Sequence, residues 1–103
     1  MKLIQGCINK TGWHLSGDVP IQLGAKSGVQ ETGNRHIHKT MTEHFVILQG
    51  WVELEVDGHN HHLGTGDLCV VEPGEAHRIL SRSPDAHYLL LMPPYVANDK
   101  VDL

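Results

Sequence analysis

The chain lacks any apolar run near the roughly 20 residues that a membrane-spanning helix needs, so a helical anchor is not expected. It has no Lys/Arg cluster, and its net charge is −4 with histidine neutral. That balance argues against nucleic acid or an anionic membrane as the main partner. There are two cysteines, Cys7 and Cys69, which form neither a disulfide framework nor a CxxC pair. Cys69 lies in the apolar run LCVV and reads as a buried thiol, so a reduced, cytoplasmic setting is expected. The opening MKLIQGC looks like a lipoprotein cleavage site, but it lacks the apolar core of roughly 7 to 15 residues that a signal peptide carries. It is read as mature sequence. Low-complexity stretches, linkers and long helical periods are also missing.

What is present describes an ordinary globule. The 103 residues, 40% hydrophobic and 19% charged, fit one domain spanning 1–103. Histidine is the outlier, with nine copies.

Short apolar or alternating runs separated by turn signals predict antiparallel β-structure with little helix. Strands are expected at HFVILQ (44–49), WVELEV (51–56), near 59–63, at LCVVE (68–72), HRILS (77–81) and HYLLLM (87–92), with a weaker one at PIQLGA (20–25). Asp57-Gly58 is a tight hairpin signal. GTGD (64–67) and PGEA (73–76) mark further turns, and Pro93-Pro94 stops the last strand. The tail from Ala97 to Leu103 reads as a short helix or a frayed end. This spacing predicts an all-β sandwich or barrel. In 44–49 both parities are apolar, so the outer face is expected to be covered, by the N-terminal segment or by a second subunit. A homodimer is the favoured expectation.

The stretch HIHKTMTEH (36–44) carries the chemistry. In a strand, His36 and His38 share one face, and Glu43 can return beside them after the KTMT turn. If Glu43 faces inward, Phe45 and Ile47 share its side as an apolar wall. Burying two imidazoles and a carboxylate without partners is costly, and a divalent metal removes that cost. Imidazole with carboxylate suits Fe, Mn, Zn, Ni or Cu. The PGEA turn delivers His77 to the start of a strand returning to the same cavity, which makes it a candidate fourth ligand.

The pattern H36-x-H38-x4-E43-x6-G50, followed by G66-x6-P73-G74-x2-H77, resembles the two sequence motifs of the cupin superfamily. The resemblance covers roughly residues 30–81. It implies a small antiparallel β-barrel, the double-stranded β-helix or jelly roll, with His36, His38, Glu43 and His77 as ligands of a metal inside its mouth. Three positions depart from the family pattern. Gln30 stands where a glycine is usual, Glu72 where a proline is common, and Ser81 where an asparagine is often seen. None removes a ligand.

The remaining histidines read differently. His44 should point away from Glu43, towards the outer surface or a dimer interface. His59, His61 and His62 read as exposed hairpin residues, His14 has no evident partner, and His87 lines the mouth only in one register. Arg78 and Glu72 read as solvated ion-pair residues.

Three neutral imidazoles and one carboxylate would leave a divalent ion near +1, with a position open for water or substrate. Phe45 and Ile47, with Ile79, Leu89 and Leu91 as further candidates, would line a site for a small, partly apolar organic molecule. The expected function is a metal-dependent enzyme, of the oxygenase (dioxygenase-like) or lyase/isomerase type. The alternative is a non-catalytic small-molecule-binding or sensory module. Fold and ligand set do not choose a reaction.

Overall fold

The structure, a computed structural model, describes residue 1, the backbone of 13–19 and 21–27, and residues 32–103. Cys7, Gln30 and the side chain of His14 lie outside these residues. The described strands are β1 (Trp13–Val19), β2 (Ile21–Ser27), β3 (His36–His38), β4 (Glu43–Gln49), β5 (Trp51–Val56), β6 (His59–Gly64), β7 (Leu68–Val71), β8 (His77–Arg82), β9 (His87–Met92) and β10 (Lys100–Asp102). They form two five-stranded antiparallel sheets, ordered β1-β2-β9-β4-β7 and β10-β3-β8-β5-β6. No described element is a helix, and no described helix is long and apolar enough to cross a membrane.

Period-2 alternation explains how the sheets close on each other. On β5, Val52 and Leu54 are buried while Trp51 and Glu53 are partly exposed. On β4, Glu43, Phe45 and Ile47 face the interior, as do Tyr88, Leu90 and Met92 on β9. The register places Phe45 opposite Leu90 and Ile47 opposite Tyr88, so these pairs share the inner face. Together with Val52, Leu54, Leu63 and Val71 they form one core, each large side chain contributing roughly 1.5–3 kcal/mol by burial. Arg82 is also buried, and its Nη1 donates to the Tyr88 hydroxyl at 2.6 Å.

The β5–β6 hairpin turns at Asp57 and Gly58, with φ of 49° and 82°. Both residues are left-handed, as a two-residue primed turn requires. Gly50 (φ 74°) joins β4 to β5, and a Cβ there would lie 2.9 Å from the Ala86 Cα. Only glycine fits that crossing of chains.

Three expectations are corrected. The C-terminal tail is neither helix nor frayed: residues 100–102 form β10 and pair with β3. Its alternation is too short to register as a strand from sequence. Leu89 and Leu91 do not line the interior, because the β4–β9 register puts them opposite Val46 and His44 on the outer face. Of the N-terminal segment, strands β1 and β2 do not cover the outer face of β4, and residues 2–12 lie outside the described residues. β2 pairs with β9 and β1 with β2, so both extend the sheet sideways.

Candidate metal centre

His36 and His38 alternate on β3 and project from one face. Strand β8 brings His77 directly opposite His36, and β5 places Val56 on the other side of His77. Glu43 arrives from the facing sheet, at the first residue of β4. One ligand-capable atom from each of these four residues lies within 4.8 Å of every other. Ring centroids are 4.3 Å apart for His36 and His77, 5.2 Å for His36 and His38, and 5.3 Å for His38 and His77. His38, Glu43 and His77 are buried, whereas His36 is half-buried at the rim.

Local structure explains why both motifs deliver their residues here. The turn before β8 is closed by Glu75 N–H donating to the Glu72 carbonyl and by the Glu75 side chain accepting from Glu72 N–H at 2.7 Å. Gly74, at φ 84°, donates its N–H to the carbonyl of His38 at 2.8 Å, which pins the second motif to the first. The turn at 39–42 is held by Asp99, whose carboxylate accepts from Thr40 N–H at 2.9 and 3.0 Å and from Met41 N–H at 2.7 Å. Asp99 escaped the sequence reading. An acid in a short polar tail gives no signal of a partner nearly sixty residues away.

The hydrogen bonds define which nitrogens are free. His36 Nδ1 lies 2.8 Å from the Asn34 carbonyl, and His77 Nδ1 lies 2.9 Å from the Glu75 carbonyl. A carbonyl only accepts, so each Nδ1 carries a proton and each Nε2 is turned towards the cluster. His77 Nε2 is 2.8 Å from Glu43 Oε1, and His38 Nε2 is 3.6 Å from the same oxygen. Neither ring nitrogen of His38 has a hydrogen-bond partner among the described residues, although both are buried.

Electrostatics follow from this packing. Burial pushes the Glu43 carboxyl up, but the facing imidazoles of His38 and His77 outweigh it and hold it at about 2. Burial pushes His77 down, and its bonds to Glu43 and the Glu75 carbonyl reverse the sign, raising it above 6.5. Burial lowers His36 in spite of its bond to Asn34.

The four residues fit a divalent ion. An unprotonated Nε2 and a carboxylate 2.8 Å apart repel unless a proton or a cation lies between them, and buried His38 offers a lone pair with nothing to meet it. Three imidazoles and a carboxylate are borderline donors suited to Fe, Mn, Zn, Ni or Cu. Phe45 and Ile47 follow Glu43 along the inward face of β4 and join the apolar core, against which Ile79 packs.

The other residues singled out by sequence lie elsewhere. His44 faces outward, with Nδ1 3.2 Å from the Leu91 carbonyl, in an apolar groove with Val46, Leu68 and Pro93. His87 pairs with Gln49, at the opposite end of β4 from Glu43, and does not reach the cluster. His62 contacts Glu53, while His59 and His61 are exposed; among the described residues the patch supplies no group of three metal-competent side chains. Arg78 bonds Glu55 at 3.2 Å on the outer face, and Glu72 is exposed. Cys69 is half-buried against the core, and burial raises its thiol pKa, as an inert structural thiol requires.

Comparison with curated proteins finds no match by sequence. Among solved structures, KdgF from Halomonas sp. is 21% identical with a TM-score of 0.71, over 84% of this chain and 79% of that one. The DMSP lyase DddQ from Ruegeria pomeroyi is 20% identical with a TM-score of 0.67, over 86% of this chain and 49% of that one. A single-substitution variant of Streptomyces PAC13 with uridine is 11% identical with a TM-score of 0.63, over 99% of this chain and 92% of that one. At these identities the likeness is one of fold. The family model for the cupin domain matches residues 26–92, the span that contains all four converging side chains and both motif turns. The chain belongs to the cupin family, with the all-β double-stranded β-helix fold that its motifs implied.

Proposed function

We propose that the chain is a small metal-dependent enzyme whose ion is held by His36, His38, Glu43 and His77 and whose substrate is a small organic molecule. One observation carries this reading: four metal-competent atoms converge within 4.8 Å in a largely buried setting where His38 has no partner among the described residues. Architecture alone would satisfy such groups with one another. Residues 1–103 are taken as a single domain acting in the cytoplasm, consistent with Cys69 being an unbridged thiol.

When bound, the ion would supply a Lewis acid with one or two positions for water or an oxygen of the substrate. The chain does the rest. The carbonyls of Asn34 and Glu75 fix the tautomers of His36 and His77, so that both present Nε2. Glu43 supplies the single negative charge, which leaves a divalent site near +1 and suits an anionic or enolic oxygen. Phe45, the next inward residue of β4 after Glu43, is buried and would give the site an apolar wall. A partly apolar organic acid, ketone or phenol matches that lining. Lyase or isomerase chemistry is supported by the presence of a DMSP lyase among the structural neighbours, and oxygenation is the other reaction type this donor set serves.

We also propose a homodimer joined through the outer face of β4, β7 and β9. Leu68, Leu48 and Val70 stand there 61%, 54% and 42% exposed, and neither β1 nor β2 lies over them. Such an apolar face is the usual mark of an interaction surface.

Elemental analysis of protein purified without a histidine tag or nickel resin, beside a His36→Ala/His38→Ala variant, tests the site. About one ion per chain in the parent and little in the variant is the expected result. Equal content in both, or none after reconstitution, overturns it. Solvent-proton relaxation of the Mn(II)-loaded parent then separates an open, reactive site from a closed one. No exchangeable water would favour the non-catalytic binding module instead.

A further inference from the structure

The three imidazoles are not held alike. His36 and His77 each anchor Nδ1 on a carbonyl two residues earlier in the chain, whereas His38 has no acceptor for either nitrogen among the described residues and is only 6% exposed. An imidazole that ligates through one nitrogen carries its proton on the other, and a buried N–H without an acceptor is costly. Metal-bound histidines normally give that proton to a carboxylate, a carbonyl or a water, which fixes the ring and strengthens the donor.

A cleft of about 250 Å³ opens beside His38, lined also by Tyr95, Asn98 and Asp99. Asp99 is the carboxylate there. It is 2% exposed, and it immediately precedes Lys100, which the β10–β3 register places opposite His38. Its oxygens accept three contacts from the Thr40 and Met41 amides, and a carboxylate has about four acceptor sites, so one remains. The cleft is roomy enough for a water, whose share of liquid volume is about 30 Å³.

We infer that Asp99 is a positioning residue for the metal site: as the buried His38 ring turns to ligate, its carboxylate accepts the ring N–H through a single water that enters the cleft both residues line. The inference rests on the metal reading above and deepens it. The same side chain holds the 39–42 turn, so it sets both the orientation of the His38 ring and the chain spacing between His38 and Glu43. Asn98 is exposed and Tyr95 partly so, whereas Asp99 is buried and is the only carboxylate among the residues that line the cleft.

Proton NMR of the Co(II)-loaded protein is the test. A Co(II)-bound imidazole N–H gives a strongly shifted, solvent-exchangeable resonance that is seen only when the proton is held. The parent should show three. Asp99→Asn keeps an oxygen for the turn amides but removes the charge. It should lose one of the three signals and leave the other two in place, with Co(II) affinity falling about 10- to 100-fold. Tyr95→Phe should retain all three. A loss of thermal stability in Asp99→Asn with three signals retained and affinity within twofold overturns the inference and leaves Asp99 a turn staple. Should Asp99→Asn fail to fold, the parent decides: three held signals support the assignment, and two overturn it. A parent that takes up no Co(II) brings down the metal reading, and this inference with it.

Discussion

Glu43 and His77 face each other at 2.8 Å, and in the metal-free protein a proton on His77 Nε2 satisfies both. The signs of their pKa shifts set a pH window. Glu43 is depressed to about 2 from its ordinary 4.5, so its contribution to stability is fully present above 4.5 and lost as pH falls towards 2. His77 is raised above its ordinary 6.5, so its contribution is present below 6.5 and lost as pH climbs through the raised value. Metal-free protein should therefore be most stable between about pH 4.5 and 6.5. An ion must displace the His77 proton, whereas His36, lowered by burial, is already neutral near pH 7. Thermal melts with EDTA and with Zn(II), compared from pH 5 to 8, should show a melting-temperature gap that widens as pH rises. A gap that is flat or narrows would contradict the pairing. Glu43→Gln should lower metal affinity by about 10-fold or more, measured by competition with a chromophoric chelator, because the site loses its only charged donor. Much of this was legible in the residues themselves. HxH on a strand must share a face, and a buried carboxylate beside it needs a cation. The carbonyl partners of His36 and His77 left no trace, since any residue supplies a carbonyl.

Elements were readable wherever alternation or turn chemistry was strong. β5 and β9 begin and end where the pattern placed them, and the Asp57-Gly58 turn joins β5 to β6 as its chemistry demands. What the pattern could not give was pairing. Leu89, Leu90 and Leu91 are chemically one residue repeated, so the inward member is decided by register with Phe45, not by sequence. β10 escaped notice because three exposed residues carry no periodic signal, yet it completes the sheet beside β3. Gly50 is the element-scale position with most at stake. Alanine there would adopt a strained left-handed φ and press on the Ala86 backbone, costing about 3 kcal/mol from the two effects together. For a chain of this length each kcal/mol shifts the melting temperature by roughly 4–8 °C, so Gly50→Ala should melt at least about 10 °C lower by calorimetry. A shift under about 3 °C would mean that the β4–β5 crossing relaxes freely.

At the scale of the whole molecule, the two faces of the β4 sheet serve different ends. Its inner face closes the core and presents Glu43, while its outer face leaves Leu48, Leu68 and Val70 in water around an apolar groove that includes His44 and Leu91. Those outward side chains of β4, β7 and β9 carry no formal charge apart from any on histidine. Two copies can therefore meet face to face without juxtaposing like charges, even though each chain carries −4. A two-fold pairing of this kind is self-complementary, the commonest closed arrangement. Sedimentation should give a particle of about twice 11.4 kDa, roughly 23 kDa, for the parent. Leu68→Lys with Val70→Lys puts two cations per chain into the contact and should return the 11.4 kDa monomer. Since both side chains point away from the interior, the variant should keep its metal stoichiometry. That retention separates a lost interface from a lost fold. A parent that sediments as a monomer at tens of micromolar would leave the outer face unpaired, and the proposed dimer would fall while the metal centre stood.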